Sequence, residues 1–335
     1  MRKKLLLLMS GLLAIFILAA CGSKTQEDIV KELNSKQKDL TSYKVTAKMT
    51  LKMGTDSQVY DVEIWHKDPT FYRVNLKNAE KDQSQMILRN NQGVFVLTPA
   101  LNKSFKFQSD WPQNSSQAYL YESLIKDIVA DKEAKYTETK DHYVFETKTR
   151  YQNNNMLPVQ EIKLNKKDLS PAVVKVMDSD RNALVTVKFA KMKFKAEFDQ
   201  DDFKMEKNMT RAQIGMPAMA GNNKEEFTVK YPTVNFDGTK LVDEKEIALE
   251  NGKRVVLTYD GKKSFTLVQE QVKVKEASTT FIEGSLVDLG FTIGAVGSHS
   301  ITWSHDGVDY MVASEKLTED ELIEVAKSVQ AEAVK

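Results

Sequence analysis

One cysteine, four histidines and seven prolines are all that this 335-residue chain contains of those residue types. A lone Cys21 leaves no partner for an intramolecular disulfide, so burial and hydrogen bonding alone must hold the fold. The histidines, His66, His142, His299 and His305, form no HExxH and no pair at helical ligand spacing. Without a second thiol, no metal site is expected. His305 reads as a solvated turn residue. A G-x-S-x-G elbow, a P-loop and a dinucleotide fingerprint are also missing. Carboxylates are plentiful but fall in solvated runs such as "DQDD" at 199–202. No catalytic residue and no cofactor follow from these patterns, and the chain is not expected to be an enzyme. Net charge is scarce too: 48 Lys and Arg face 47 Asp and Glu, which gives no global attraction to nucleic acid. With 41% hydrophobic and 28% charged residues, the composition is that of a globular protein rather than a disordered one.

The one long apolar run is at the start. Met1-Arg2-Lys3-Lys4 precedes "LLLLMSGLLAIFIL", Leu5 to Leu18, a basic segment followed by a hydrophobic one, as in a secretory signal. As a helix it would span about 21 Å, short of the ~30 Å hydrocarbon core of a bilayer. The next residues, Leu18-Ala19-Ala20-Cys21-Gly22, resemble the lipobox of bacterial lipoproteins. That resemblance implies a signal peptide over 1–20, cleavage before Cys21, a diacylglyceryl group on the Cys21 thiol and acylation, as by palmitate, of its amine. Two or three acyl chains anchor stably where one does not. The expected location is the extracytoplasmic face of the cell membrane. Removing residues 1–20 takes Arg2, Lys3 and Lys4 with it, so 48 against 47 becomes 45 against 47, a net −2.

The remaining 315 residues favour two domains. A tether at 21–24 leads into a helix, "TQEDIVKELNSKQKDL", whose Thr25 and Asp28 fit a capping box. "YKVTAKMTLKM" then alternates apolar Tyr43, Val45, Ala47, Met49, Leu51 and Met53 with polar neighbours, a long strand with one dry face. Tyr60, Val62 and Ile64, then Tyr72, Val74 and Leu76, continue the pattern. Strands are expected near 84–90, 93–98, 103–108, 142–149, 158–165, 172–178 and 183–198, with one helix at "SSQAYLYESLIKDIVADKE" capped by Ser115 or Ser116. An antiparallel sheet of about ten strands tends to curl, and with too few helices to fill its apolar face it leaves a hollow. "RAQIGMPAMAGNNKEE", 211–226, reads as a linker. A small α+β domain over 227–335 follows, with strands near 227–231 and 253–259, hairpins at Asp260-Gly261 and His305-Asp306-Gly307, and a final helix. Thr318 and Glu321 box that helix, and Leu317 staples onto Leu322.

"GVFVLTPALNKSFKFQSDWPQNSSQAYLYESL" resembles the lipoprotein homologues of the outer-membrane lipoprotein carrier LolA found in spore-forming Gram-positive bacteria, often named sporulation proteins. The resemblance covers most of 22–210. It implies a mainly β, α+β fold over 25–210: an incomplete antiparallel barrel whose helices cover an apolar cavity for acyl chains. "SITWSHDGVDYMVASEKLTEDELIEVAKSV" is similar to a small domain of exported and anti-sigma-type proteins, and the pairing of two such domains resembles the regulator RseB, which senses lipidated ligands. Tyr43, Val45, Met49, Leu51, Tyr60, Val62, Ile64, Tyr72 and Val74 are the candidate cavity lining, and Phe95, Phe105, Phe107 and Trp111 the candidate lid. A protein held by Cys21 does not ferry cargo as soluble LolA does. The expectation is a membrane-anchored sensor or local carrier of an acyl chain, lipid or lipoprotein in sporulation. The alternative is a tethered regulatory protein with no lipid cargo that meets an envelope protein through its C-terminal domain.

Overall fold

The computed structural model describes residues 24–330, apart from 54–55, 80–83, 100–101, 108–109, 113–115, 152–156, 200, 215–227, 250–251, 273–277, 283, 290 and 306. The signal, Cys21, Ser115 and most of the expected linker lie outside these residues. No described helix is long and apolar enough to cross a membrane.

Helix α1, Gln26–Lys38, belongs to the first of two compact units, which ends at Asp39. Thr25 caps it: the Thr25 hydroxyl accepts from the Asp28 N–H, and the Asp28 carboxylate accepts from the Thr25 N–H at 3.1 Å. Acids in its first turn and lysines in its last complement the helix dipole.

The second unit begins at Leu40. Its strands β1 (Ser42–Met53), β2 (Asp56–Lys67), β3 (Phe71–Asn78), β4 (Ser84–Asn90), β5 (Gly93–Thr98) and β6 (Lys103–Phe107) form an antiparallel meander. Helix α2, Tyr121–Ala130, follows, and then β7 (Lys135–Glu138), β8 (His142–Lys148), β9 (Val159–Asn165), β10 (Pro171–Met177), β11 (Ala183–Phe189) and β12 (Lys193–Phe194). β11 returns to pair with β1, which joins the two runs in one sheet. The expected strand 183–198 is split. Phe189 opposes Ala47 whereas Lys193 opposes Lys44, a slip of one residue, and Lys195 turns away at φ +54°.

Helix α3, Met205–Ile214, occupies the start of the expected linker. The chain then builds β13 (Lys240–Leu249), β14 (Gly252–Asp260), β15 (Phe265–Val272), β16 (Ser278–Ile282), β17 (Ser285–Asp288), β18 (Ile293–Val296), β19 (Ser300–His305), β20 (Val308–Ala313) and helix α4, Glu319–Gln330. β13, β14, β15, β20, β19, β18 and β17 form a second, seven-stranded antiparallel sheet. β16 leaves it and pairs in parallel with β6, so the first sheet has thirteen strands. That sheet runs open from β16 to β7 and does not close into a barrel. The expected strand at 227–231 is not formed: its described residues are irregular, and Lys230 bonds through its N–H and C=O to the buried Gln269 amide.

One face of the second sheet carries the core against α4. Val255, Leu257, Leu267, Ile301, Trp303 and Val312 pack there with Leu322, Ile323 and Val325. Thr318 and Glu321 form the expected capping box, and Leu317 and Leu322 are buried in the same cluster.

Candidate functional site

Strand register places the candidate lining on one face of the first sheet. Val45, Ile64 and Val74 stand opposite one another across β1–β3, and the row continues through Ile87, Val96 and Phe105. A second row runs Tyr43, His66, Tyr72, Arg89, Val94 and Phe107. Met49, Leu51, Tyr60 and Val62 belong to this face, and all nine candidate lining residues are buried. The apolar face is therefore continuous from β1 to β6, and different elements cover its two ends.

Helix α2 covers the β1–β3 end and reaches β9, held by two carboxylates, the partly buried Glu122 and the buried Asp127. Glu122 gathers the first set. The Tyr43 hydroxyl donates to its Oε2 at 2.8 Å and the Tyr72 hydroxyl to its Oε1 at 3.4 Å, while His66 Nε2 lies 3.0 Å from Oε1. His66 Nδ1 is 3.2 Å from the Phe71 carbonyl oxygen, so the ring is held from both sides. Burial, reinforced by the Glu122 charge, pushes the Tyr43 and Tyr72 phenols well above their usual values. Asp127 gathers the second set, from Ser116 at 2.8 Å, Gln160 Nε2 at 2.7 Å and Arg150 Nε. Burial raises the Asp127 carboxyl and Arg150 opposes that shift.

Ser116 is thus no cap. Leu120 is the N-cap residue of α2 and has no side-chain capping bond; Ser116 donates to Asp127 and accepts from the Arg150 N–H at 2.7 Å. The chain between Ser116 and Leu120 turns before the helix begins, which shortens α2 to ten residues.

The β4–β6 end of the face meets the second sheet. Gln85 Oε1 accepts from the Ile293 N–H at 2.9 Å and lies 3.1 Å from the Thr292 hydroxyl, and the Tyr60 hydroxyl lies 3.0 Å from the Phe291 carbonyl. Lys103 pairs with Asp309 across the same seam. Between these ties lies a cavity of about 660 Å³, within the range of small-molecule sites. Val96, Phe105 and Phe107 form its wall on the first sheet. Val256, Val268, Ala295 and Met311 are among those opposite.

The candidate residues are distributed accordingly. Phe105 and Phe107, expected as a lid, are strand residues in the cavity wall. Phe95 faces the other side of the sheet with Met86, Leu88, Leu97 and Phe203, because its register pairs it with Leu88 and Lys106. Trp111 is buried edge-on to Tyr72 at 5.7 Å, and its carbonyl accepts from Arg89. The nine candidate lining residues sit on the same face as the cavity wall, but none of them is among the residues that line the cavity. Sequence reasoning missed the wall supplied by the second sheet. Its signal was weak alternation in "KRVVLTYD" and "FTLVQEQV", where both faces carry apolar residues.

Among the described residues no group of three or more His, Cys, Asp and Glu is arranged to hold a metal ion.

The family described as sporulation protein YdcC-like matches residues 2–203. A curated relative, sporulation protein YdcC of Bacillus subtilis (strain 168), is 53% identical over 335 residues, covering 100% of this chain and 99% of that protein. Among solved structures, the MucA/MucB complex of Pseudomonas aeruginosa contains a chain 13% identical, with a TM-score of 0.34 over 91% of this chain and 98% of that one. A LolA superfamily protein of Nitrosomonas europaea is 11% identical, with a TM-score of 0.31 over 55% of this chain and 100% of that one. By the match over most of its length and the identity to the Bacillus protein, the chain belongs to the YdcC-like family of sporulation proteins.

Proposed function

We propose that the protein is a lipid-anchored envelope protein of sporulation, tethered through Cys21, that holds the acyl chain of a lipid or lipoprotein as sensor or local carrier. The observation that carries this reading is the cavity of about 660 Å³ between the two sheets, with apolar walls on both sides. Apolar walls with a few polar groups at one side suit a ligand that is mostly hydrocarbon. A tether at Cys21 keeps such a cavity at the membrane surface, where acyl chains are at hand. With domains proposed at 25–210 and 227–335, the two walls belong to different domains, and β16 crosses back to the first sheet. The test is native mass spectrometry of residues 22–335, purified without detergent. A mass excess lost on denaturation and extracted as lipid supports the reading; a bare mass with no uptake of added phospholipid or acylated peptide overturns it.

A second reading is a tethered interaction protein without lipid cargo. Its supporting observation is the exposure of Leu241, Val242 and Tyr231 beside one another's elements, with Val242 62% exposed. Pull-down of an envelope protein that is lost on Val242→Glu, from a chain with a bare mass, would favour it.

A further inference from the structure

The chemical class of the ligand follows from how the cavity wall is charged, and this inference rests on the acyl-chain reading above. Register across the second sheet sets Val256, Val268, Met311, Thr302 and Ala295 in one line. Two residues along, Arg254, Glu270, Asp309 and Ser304 form a parallel line, about 7 Å away at the rise of a strand. One wall therefore offers an apolar track beside a polar one, the geometry that an amphiphile's chain and head require.

The polar track holds charge that is already matched. Arg254 Nε donates to Glu270 Oε2 at 2.6 Å. Asp309 takes the Ser304 hydroxyl at 2.6 Å and pairs with Lys103 from β6. Among the described residues lining the cavity, Arg254 is the one cation, against the carboxylates of Glu270 and Asp309. An anionic head placed on this track meets two carboxylates, and the nearby cations are engaged by them. A head without net charge meets donors and acceptors and disturbs neither pair. In the apolar track, the Thr302 hydroxyl oxygen is buried with no partner in the structure, and a turn about χ1 of this wall residue would let it donate to an ester carbonyl in the cavity.

We propose that the cavity selects acyl ligands whose head bears no net charge, with ester carbonyls near Thr302, and discriminates against anionic amphiphiles. The shared chemistry is an uncharged diacylglyceryl group, which reaches the site either as free diacylglycerol or as the lipid-modified cysteine of another protein.

The test is displacement of a fluorescent diacylglycerol from the chain beginning at residue 21 with Cys21→Ser. Competitors are dioleoylglycerol, a terminally blocked S-diacylglyceryl-cysteine peptide, oleate and phosphatidylglycerol. The expected result is displacement by the two uncharged competitors at concentrations at least about tenfold below those of the two anions. Whichever uncharged competitor is the tighter identifies the source. Glu270→Gln with Asp309→Asn releases Arg254 and Lys103 and should narrow or invert the preference; unfolding by urea checks that this variant retains the fold. Equal or tighter binding of the anions by the parent chain overturns the selectivity and leaves the acyl-chain reading standing. Failure of the probe and of every competitor to bind overturns that reading itself.

Discussion

Tyr43, His66 and Tyr72 come from three neighbouring strands and converge on one helix carboxylate, Glu122, one of the two that hold α2 on the sheet. A hydrogen bond to a charged partner contributes about 1.5–3 kcal/mol, and a buried donor left alone costs about 1–3 kcal/mol. Tyr43→Phe should therefore lower stability by about 2 kcal/mol, and Glu122→Ala by about 4 kcal/mol because it strands both phenol donors at once. Urea midpoints at neutral pH measure both, and equal losses would mean that Glu122 does not gather the set. On the opposite face of β2, Glu63 accepts from Arg73 at 2.6 Å and pairs with Lys44 at 2.9 Å. Burial alone would raise its carboxyl, but the hydrogen bonds from Lys44 and Arg73 outweigh that and hold it below the usual value. A depressed native value means that the unfolded chain binds the proton first as pH falls. The stabilisation is complete above the unfolded value, about 4.3, and is lost as pH drops through the native one. The stability difference between the parent and Glu63→Gln should stay constant down to about pH 5 and shrink toward pH 3. A difference that grows on acidification would contradict the assignment.

Elements were legible where local chemistry decides them. β1 was readable because eleven of its residues, Tyr43 to Met53, alternate apolar and polar on a sheet with one dry face, and α1 and α4 because Thr25–Asp28 and Thr318–Glu321 are capping boxes. Thr318→Ala should cost about 1 kcal/mol in a thermal melt. Elements whose reason is distant were not legible. β13, "KLVDEKEIAL", is an edge strand exposed along most of its length, so burial imposed no alternation on it. Helix α3 shows few apolar residues, Met205 and Met209 among them, and these complete a cluster with Phe203, Met86 and Leu88 that only tertiary packing creates. The turn at Asp260-Gly261 was legible, and the reason it needs glycine is now structural. Gly261 has φ +142°, and a Cβ there would sit 2.1 Å from the Gly238 carbonyl oxygen. Gly307 at φ +78° has open space around it. Gly261→Ala should cost more than about 3 kcal/mol, a loss reserved for backbone collision. Gly307→Ala should cost about 1–2 kcal/mol, the cost of the left-handed region alone. Comparable losses at the two turns would show that the Gly238 contact relaxes.

At the scale of the whole molecule, the apolar face is one surface covered in two ways, and the proposed function rests on the difference. Where α2 lies over β1–β3, the Glu122 carboxylate accepts from the Tyr43 and Tyr72 phenols. Where the second sheet lies over β4–β6, contact is made at a seam of Tyr60, Gln85 and Lys103, and the middle is left hollow. The dry face could be read from the alternation in β1–β3, and with it the expectation of a hollow, but the second wall could not, because the two walls lie far apart in sequence and meet only through the seam. That arrangement separates the requirements of folding from those of binding. Gln85→Ala with Tyr60→Phe removes seam bonds and leaves both cores intact, so each sheet should stay folded while amide exchange at Ile293 accelerates about tenfold to a hundredfold. Bound acyl mass should fall with it, since the cavity exists only while the sheets stay in register. Met311→Glu tests the hollow from the other side. Met311 is 38% exposed and stands in the wall, so a carboxylate there reaches water without unfolding the sheet. Capture of lipid should be abolished with the melting temperature little changed, whereas Val242→Glu, exposed and away from the wall, should leave capture intact. Retention of bound lipid by Met311→Glu at the parent level would mean that the acyl chain lies elsewhere on the dry face, and the region under α2 would then be the place to look.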